Sequence, residues 1–175
     1  LQLNQKQIVQ ALATLNNLQE KWPEHLLTKK MLLEAYTALN DWQEVLELLR
    51  SIEKEKLYTH DEIEIKKHNA YVGLLKDAGI SDDRKKLDNI WEQLPRKLKY
   101  HHDLIEVYVR EKLKFKDISD SEVILKNAIK KKWDRKLVRL YGLVIGIDSD
   151  KQLATAESWL NQYPDDPFLL LSLGR

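Results

Sequence analysis

The chain contains 175 residues, which is long enough for one good-sized domain with a buried core. Its 29 Lys and Arg residues balance 28 Asp and Glu residues, and the net charge of +1 indicates neither a nucleic-acid-binding protein nor an acidic tail. It has no cysteine, which excludes disulfides and thiolate metal sites. With 33% charged residues but only five Gly and four Pro, the composition favours solvated helices over strands.

The apolar runs of the chain are short. The longest, LYGLVIGI and FLLLSL, fall far below the roughly 18 to 20 apolar residues that a membrane-spanning helix needs. No signal peptide is visible. The chain begins at Leu1 rather than at a Met, and it ends in FLLLSLGR as if cut within a helix. We therefore expect a fragment of a longer protein.

Residues 32–52, LLEAYTALNDWQEVLELLRSI, predict two helices folded back on each other. An apolar-periodic run leads to Tyr36, a polar break follows at Asn40 and Asp41, and Trp42 opens a second apolar run. This pattern is typical of the tetratricopeptide repeat, a helix–turn–helix unit of about 34 residues. Tyr36 then occupies the Tyr position of the repeat.

The same unit recurs along the chain. Counting back from Tyr36 places Pro23 at the position that closes a preceding repeat, so residues 1–22 predict a second helix whose first helix is missing. Further tyrosines follow at intervals of 35, 37 and 33 residues, close to the expected period: Tyr71, Tyr108 and Tyr141. The hairpin is therefore predicted to be the building block of the protein.

The predicted connections differ in length. Residues 76–86, KDAGISDDRKK, predict a long turn after Tyr71, and a helix with Leu87 and Trp91 follows until Pro95 ends it. Later helices are predicted over the stretches VILKNAIKKKW, LVRLYGLVIG, DSDKQLATAESWLNQYP and FLLLSLGR. The last of these is interpreted as the cut first helix of another repeat.

Apolar residues recur at intervals of three and four within each helix, which gives one buried stripe. A single hairpin cannot bury both of its faces, so neighbours are expected to stack into a right-handed superhelix with a concave groove. The predicted fold is all-α, a tetratricopeptide-like solenoid of antiparallel helix pairs forming a single domain over residues 1–175. A helical bundle is the alternative, because larger residues replace several Gly and Ala positions of the repeat. Four residues before second helices are expected to act as N-caps: Asp41, Ser81, Asp120 and Asp148.

The sequence lacks the motifs of catalysis and of metal binding. Its five histidines form no HExxH spacing, and the adjacent His101 and His102 would point about 100° apart on a helix. No glycine-rich phosphate loop and no GxSxG motif occurs. We therefore expect that the protein is not an enzyme and that it binds no metal and no cofactor. His102 is interpreted as an exposed or half-buried histidine, and the alternative is that it is an axial ligand to a haem. The five tryptophans are expected to pack in the core rather than to stack on a ligand.

Charge is distributed unevenly. Residues 84–140 hold 17 Lys and Arg against nine Asp and Glu. In the repeat, the residues two, six and nine before the Tyr line the groove, which predicts a partner- or ligand-binding groove from Lys99, His102, Lys132, Arg135, Arg139 and Asn69. Such a surface suits an acidic peptide or a carboxylated ligand, because Arg binds carboxylates bidentately. Lipid headgroups and a merely solvated face are the other interpretations.

Four stretches carry a resemblance: AYTALNDWQEVLELL, DNIWEQLPRKLKYHHDLIEVYV, KKKWDRKLVRLYGLV and AESWLNQYPDDPFLLLSLGR. The order and spacing of their W-x-x-L-P, W-D-x-x-L-V-x-L-Y-G and A-E-x-W-L…L-x-x-L-G-R elements resemble the C-terminal repeat domain of the HemY family over nearly the whole chain. The resemblance implies a bacterial inner-membrane protein with two N-terminal membrane helices before this domain, and a soluble repeat domain on the cytoplasmic side. It also implies a role in late haem, or protoporphyrin, synthesis. Flavin-dependent protoporphyrinogen oxidases share the name, but this chain has no dinucleotide-binding βαβ unit.

Three functional hypotheses follow. The first is a non-catalytic scaffold that binds a protein partner, a porphyrin-pathway enzyme at the membrane surface, and no nucleic acid. The second is a carrier of porphyrin or haem whose basic groove holds propionates near His102. The third is an enzyme, for which the sequence offers no nucleophile, metal site or cofactor motif.

Overall fold

The computed structural model describes residues 2–116, 120–144, 146 and 148–174, and only the backbone of residues 2–6. Every regular element among these residues is helical, which confirms the prediction of an all-α protein. A short 3-10 turn, Leu98–Tyr100, lies between the fifth and sixth α-helices. The helices are α1 (Gln2–Lys21), α2 (Leu26–Leu39), α3 (Trp42–Glu55), α4 (His60–Ile80), α5 (Arg84–Gln93), α6 (His102–Lys114), α7 (Ser121–Lys131), α8 (Arg135–Tyr141), α9 (Ser149–Trp159) and α10 (Pro167–Leu173).

The chain divides into two compact units, Leu1–Leu74 and Leu75–Arg175. Two predicted segments fall partly outside the described residues. These are the turn before α7, at residues 117–119, and the end of the predicted helix LVRLYGLVIG, at Ile145 and the following Ile147. None of the helices in the described part of the chain is long and apolar enough to cross a bilayer. The single domain and the superhelix stay predictions.

In the first unit, α1 packs on α2 and α2 packs on α3. The α2–α3 connection is as tight as its Asn–Asp sequence predicts, because Asn40 adopts a left-handed conformation with φ of 59° and ends α2. Trp42, the first residue of α3, lies against Gly73 of α4. A Cβ atom at Gly73 would lie 2.2 Å from the indole ring, so glycine leaves the room in which this ring packs against α4.

In the second unit, first helices of successive hairpins contact one another. Helix α6 packs on both α7 and α8, and α8 in turn packs on α10. The interior of this unit is formed by aliphatic side chains that are fully buried: Leu87, Leu104, Leu125, Leu137 and Leu169. Contacts between every second helix are the arrangement expected of stacked helix pairs.

The four repeat tyrosines make equivalent contacts, each reaching back to the second helix of the preceding hairpin. The hydroxyl groups lie 3.2, 2.8 and 2.9 Å from their partners in the pairs Tyr36–Asn16, Tyr108–Asp88 and Tyr141–Glu122. Tyr71 lies beside the charged side chain of Arg50. Burial, reinforced by the neighbouring carboxylate of Glu122, raises the pKa of Tyr141 well above its ordinary value. The tyrosine register found in the sequence thus corresponds to one recurring contact.

Two local predictions are wrong. Helix α4 continues to Ile80, so the connection before α5 is only residues 81–83 rather than 76–86. Ser81 does not cap α5, because its hydroxyl donates to the carbonyls of Asp77 and Ala78 at the end of α4. Such back-bonding satisfies the carbonyls that a helix end leaves without partners.

The other three predicted caps lie at N-cap positions. Asp148 accepts a hydrogen bond from the amide of Lys151 at 3.0 Å, as expected for a cap. Asp41 and Asp120 precede α3 and α7 but make no capping hydrogen bond through their side chains. The cap of α5 is instead Asp83, which accepts from the amide of Lys86.

Candidate partner-binding surface on helices α6 and α8

Two aspartates join consecutive first helices at their N-terminal ends. Asp134 caps α8, with Oδ1 accepting from the amides of Lys136 and Leu137 at 2.8 and 3.4 Å. Its Oδ2 lies 3.1 Å from Nδ1 of His102, the first residue of α6. The carboxylate of Asp134 therefore caps the start of α8 and also binds a side chain of α6, the preceding first helix.

The same arrangement recurs one hairpin later. Asp166 caps α10, with Oδ1 accepting from the amides of Phe168 and Leu169 at 2.9 and 3.3 Å. Its Oδ2 accepts from Nε of Arg135, the first residue of α8, at 2.9 Å, and from Nε1 of Trp133 at 3.3 Å. The side chain of Asp166 is only 5% exposed, whereas that of Arg135 is 63% exposed.

Both aspartates are held in the charged form. Burial opposes the ionisation of Asp134, but hydrogen bonds from His102 and from the amides that it caps outweigh burial and lower its pKa. Burial likewise opposes the ionisation of Asp166, and the hydrogen bonds of Arg135 and of the α10 amides outweigh it, so its pKa also lies below the ordinary value. These charges partly neutralise the cations of the surface.

Glu106 of α6 forms a second bridge between α6 and α8. Its carboxylate accepts from the guanidinium of Arg110 at 2.9 Å, one turn further along α6, and lies 3.4 Å from Nζ of Lys136 on α8. The side chain of Glu106 is 16% exposed, whereas those of Arg110 and Lys136 remain more than half exposed. An acidic residue thus lies between cations on this face.

The structure places five of the six predicted groove residues in the second unit. His102 and Arg135 are bound by the two aspartates described above. Lys99 lies in the 3-10 turn, and its Nζ donates to the carbonyl of Glu92 at 3.0 Å. Asn69 is exposed on α4 in the first unit, where its Oδ1 lies 3.5 Å from Nδ1 of His68. Whether these residues bind a partner stays a prediction.

Lys132 and Arg139 are exposed, and neither side chain makes a hydrogen bond or ion pair with any residue that the structure describes. Arg139 follows Arg135 by one turn of α8, so the two guanidinium groups share one face. Lys132 follows the last residue of α7 and lines an open cavity of about 440 Å³, whose walls include Trp133, Trp159 and Tyr163. This leaves Arg135 and Arg139 as the core of the surface and Lys132 at its margin.

Three of the five tryptophans pack against other rings, as predicted from the sequence, whereas the prediction is wrong for Trp22, which is 59% exposed. Trp91 stacks on the ring of Tyr108 at a centroid distance of 4.2 Å. Trp133 stacks on Tyr163 at 3.7 Å and meets Trp159 edge to face at 5.9 Å. These contacts give the rings a packing role within the second unit.

A group with the composition of a metal site lies in the first unit. One potential ligand atom from each of Glu53, His60 and Glu64 falls within 4.8 Å of the others. The ammonium of Lys67 lies 2.9 Å from Glu53 and 3.3 Å from Glu64 and already balances these carboxylates. The hydrogen bond from Lys67 lowers the pKa of Glu53.

Asp134 and Asp166, the two residues that organise this surface, were not predicted from the sequence. Their signal was present, since an Asp directly before Pro167 is a common start of a helix, and Trp133-Asp134 precedes the next apolar-periodic run. The links from these caps to His102 and Arg135 span 32 and 31 residues, and no local pattern predicts contacts of that range. Comparison of the chain with protein-family models, with curated proteins and with solved structures finds no match.

Proposed function

We propose that this chain is a non-catalytic scaffold that binds an acidic segment of a partner protein on α6 and α8. The observation that carries the proposal is the pair Arg135 and Arg139, two exposed guanidinium groups one turn apart on α8. Guanidinium groups bind carboxylates in a planar, bidentate geometry, which favours acidic side chains over other polar partners. Lys132 and Lys136 extend the positive surface beyond this pair.

The resemblance to the HemY family supports the biological setting of the proposal. On that basis the partner is an enzyme of late protoporphyrin synthesis, and the parent protein is a HemY-like protein of the bacterial inner membrane. The repeat domain would then present the α6 and α8 surface on the cytoplasmic side. Stacked helix hairpins arranged as a tetratricopeptide-like solenoid provide a rigid support for such a surface.

The experiment that tests the scaffold is capture of purified porphyrin-pathway enzymes by the wild-type chain and by the double variant Arg135→Glu/Arg139→Glu. We expect the variant to lose capture while its circular dichroism and melting temperature stay close to those of the wild type. A matched control is Lys126→Glu/Lys130→Glu, which makes the same charge change on two exposed lysines one turn apart on α7. Equal capture by all three proteins contradicts the assignment of this surface.

A porphyrin carrier is the second candidate, and the His102–Asp134 pair favours it. A histidine that binds a metal through Nε2 commonly has its Nδ1 hydrogen-bonded to a carboxylate, as in this pair. The imidazole is, however, only 17% exposed. Absorbance titrations with haem and protoporphyrin test this candidate: saturable binding that weakens in His102→Ala supports it, and flat titrations of folded protein contradict it.

A further inference from the structure

Arg135 is an exposed cation with one fixed edge. Its Nε donates to Oδ2 of Asp166, while its side chain is 63% exposed. The two Nη groups have no hydrogen-bond partner among the residues that the structure describes. The guanidinium is therefore held at Nε, and most of the side chain remains accessible to a ligand.

The carboxylate that holds Arg135 is itself immobile. Both oxygens of Asp166 are used, Oδ1 by the first amides of α10 and Oδ2 by Arg135 and Trp133. Trp133 is in turn stacked on Tyr163. Rotation of the Asp166 carboxylate would break the cap of α10, so Arg135 is anchored to a rigid group.

We propose that Asp166 is a positioning residue that orients Arg135, so that both Nη groups bind one carboxylate of the acidic partner. Arg139, one turn further along α8, supplies a second cation for the same segment. This inference rests on the proposed function and names the geometry by which the surface recognises carboxylates. The physical reason is that a side chain already fixed before binding loses less conformational entropy when it binds.

Charge alone predicts the opposite effect of Asp166. A carboxylate 2.9 Å from Arg135 repels an incoming anion, so removing it should strengthen the binding of an acidic peptide if only net charge matters. If positioning matters more, removing Asp166 weakens that binding. The sign of the change therefore separates the two explanations.

The test uses fluorescein-labelled hexaglutamate and fluorescence anisotropy on the full chain. In Asp166→Ser the serine still caps α10 but is too short to reach Arg135 and carries no charge. We expect hexaglutamate to bind Asp166→Ser about three- to tenfold more weakly than wild type, the range expected for one side chain that must be ordered on binding. The matched control is Asp148→Ser, the same change at the N-cap of α9, and its affinity should equal that of wild type.

A double-mutant cycle distinguishes positioning from general structural damage. If Asp166 acts through Arg135, Asp166→Ser changes the affinity of wild type but has no further effect in an Arg135→Ala background. An equal loss in both backgrounds, or tighter binding by Asp166→Ser, overturns the inference. Should Asp166→Ser fail to fold, Arg135→Lys provides a second test, because it keeps Asp166 and the positive charge but removes the planar guanidinium. It should lose more affinity for hexaglutamate than Arg139→Lys. Equal losses in the two variants overturn the inference.

The outcomes also separate this inference from the proposed function. Loss of hexaglutamate binding in Arg135→Glu/Arg139→Glu together with unchanged binding in Asp166→Ser retains the acidic-partner surface and rejects the positioning role. Absence of hexaglutamate binding by folded wild-type protein overturns both. A slowly exchanging Nε–H signal of Arg135 in nuclear magnetic resonance spectra, absent in Asp166→Ser, is expected when no peptide is present.

Discussion

Helices α2 and α8 have the same interior and different surfaces. Leu32 and Leu33 of α2, four and three residues before Tyr36, are buried, as are Leu137 and Val138 of α8 before Tyr141. Nine and five residues before the same tyrosines, α2 has Leu27 and Met31, exposed by 59% and 46%. The equivalent positions before Tyr141 hold the exposed lysines Lys132, which follows α7, and Lys136 of α8.

The difference separates positions that determine the packing of the fold from exposed positions that determine the chemistry of the surface. Positions that contact neighbouring helices are aliphatic in both cases, because the packing of a hairpin depends on volume and apolarity. Exposed positions are free of that constraint. In α2 they border an apolar cleft of about 400 Å³ beside α1, whereas in α8 they surround the guanidinium pair. The two units therefore have different surface chemistry on equivalent hairpins.

The largest effect is expected in the shared interior. Leu137→Ala and Leu32→Ala each remove a fully buried side chain, and we expect each to lower the free energy of unfolding by about 2–5 kcal/mol. Urea unfolding followed by circular dichroism measures both. The control Leu27→Ala, at an exposed position, should stay within about 0.5 kcal/mol of wild type. A large cost for Leu137→Ala with almost none for Leu32→Ala would show that the two interiors are not equivalent.

Close approaches between helices provide the next test. Gly73→Ala would place a methyl group against the indole of Trp42 in the first unit, and Gly142→Ala would place one 2.6 Å from Ser172 in the second. Both should destabilise by about 1–3 kcal/mol because a packed contact has no room for the added carbon. Thermal melting compares them with Gly174→Ala, where the nearest atom is 3.5 Å away and no loss is expected. Unchanged melting of Gly73→Ala would rule out the tight α3–α4 contact.

Lowering the pH should reduce the stability that the charge of Asp166, the N-cap of α10, contributes to the second unit. The pKa of Asp166 is lowered in the folded protein, so its charge stabilises the fold above the ordinary Asp value of about 3.9. That contribution is lost as the pH falls through the lower, folded-state pKa. Asp166→Asn keeps the cap, so we expect it to be about 1 kcal/mol less stable than wild type at neutral pH and equally stable at strongly acidic pH. A stability difference that does not change with pH would contradict this assignment.

The smallest effect is expected from exchanging the exposed residues that lie nine positions before Tyr36 and Tyr141. Lys132→Leu should weaken hexaglutamate binding by about two- to fivefold at low salt, since one exposed charge contributes up to about 1 kcal/mol and is screened by ions. The reciprocal change Leu27→Lys should leave urea stability within about 0.5 kcal/mol of wild type. Anisotropy titrations at two salt concentrations measure the first change. A loss that persists at high salt would mean that Lys132 contributes through contact rather than charge.

Much of the fold could be predicted from the sequence. The apolar periodicity, the four spaced tyrosines and the prolines located helices α1–α10 in order, because these signals act within one or two turns of the chain. Two helix boundaries near Ser81 were misjudged, since a polar residue at a helix end can satisfy the amides of the next helix or the carbonyls of the last one. Both choices are compatible with the same local sequence.

The chemistry of the surface was decided by tertiary structure. The sequence by itself determined that Lys132, Arg135 and Arg139 lie near one another on or beside one helix, because residues three or four apart share a face. Only the packing of α6, α8 and α10 showed that Arg135 is held by Asp166 and His102 by Asp134, while Arg139 has no such partner among the residues that the structure describes. Hydrogen bonds between residues more than 30 positions apart depend on how helices stack, and stacking depends on the whole buried interior rather than on any local pattern.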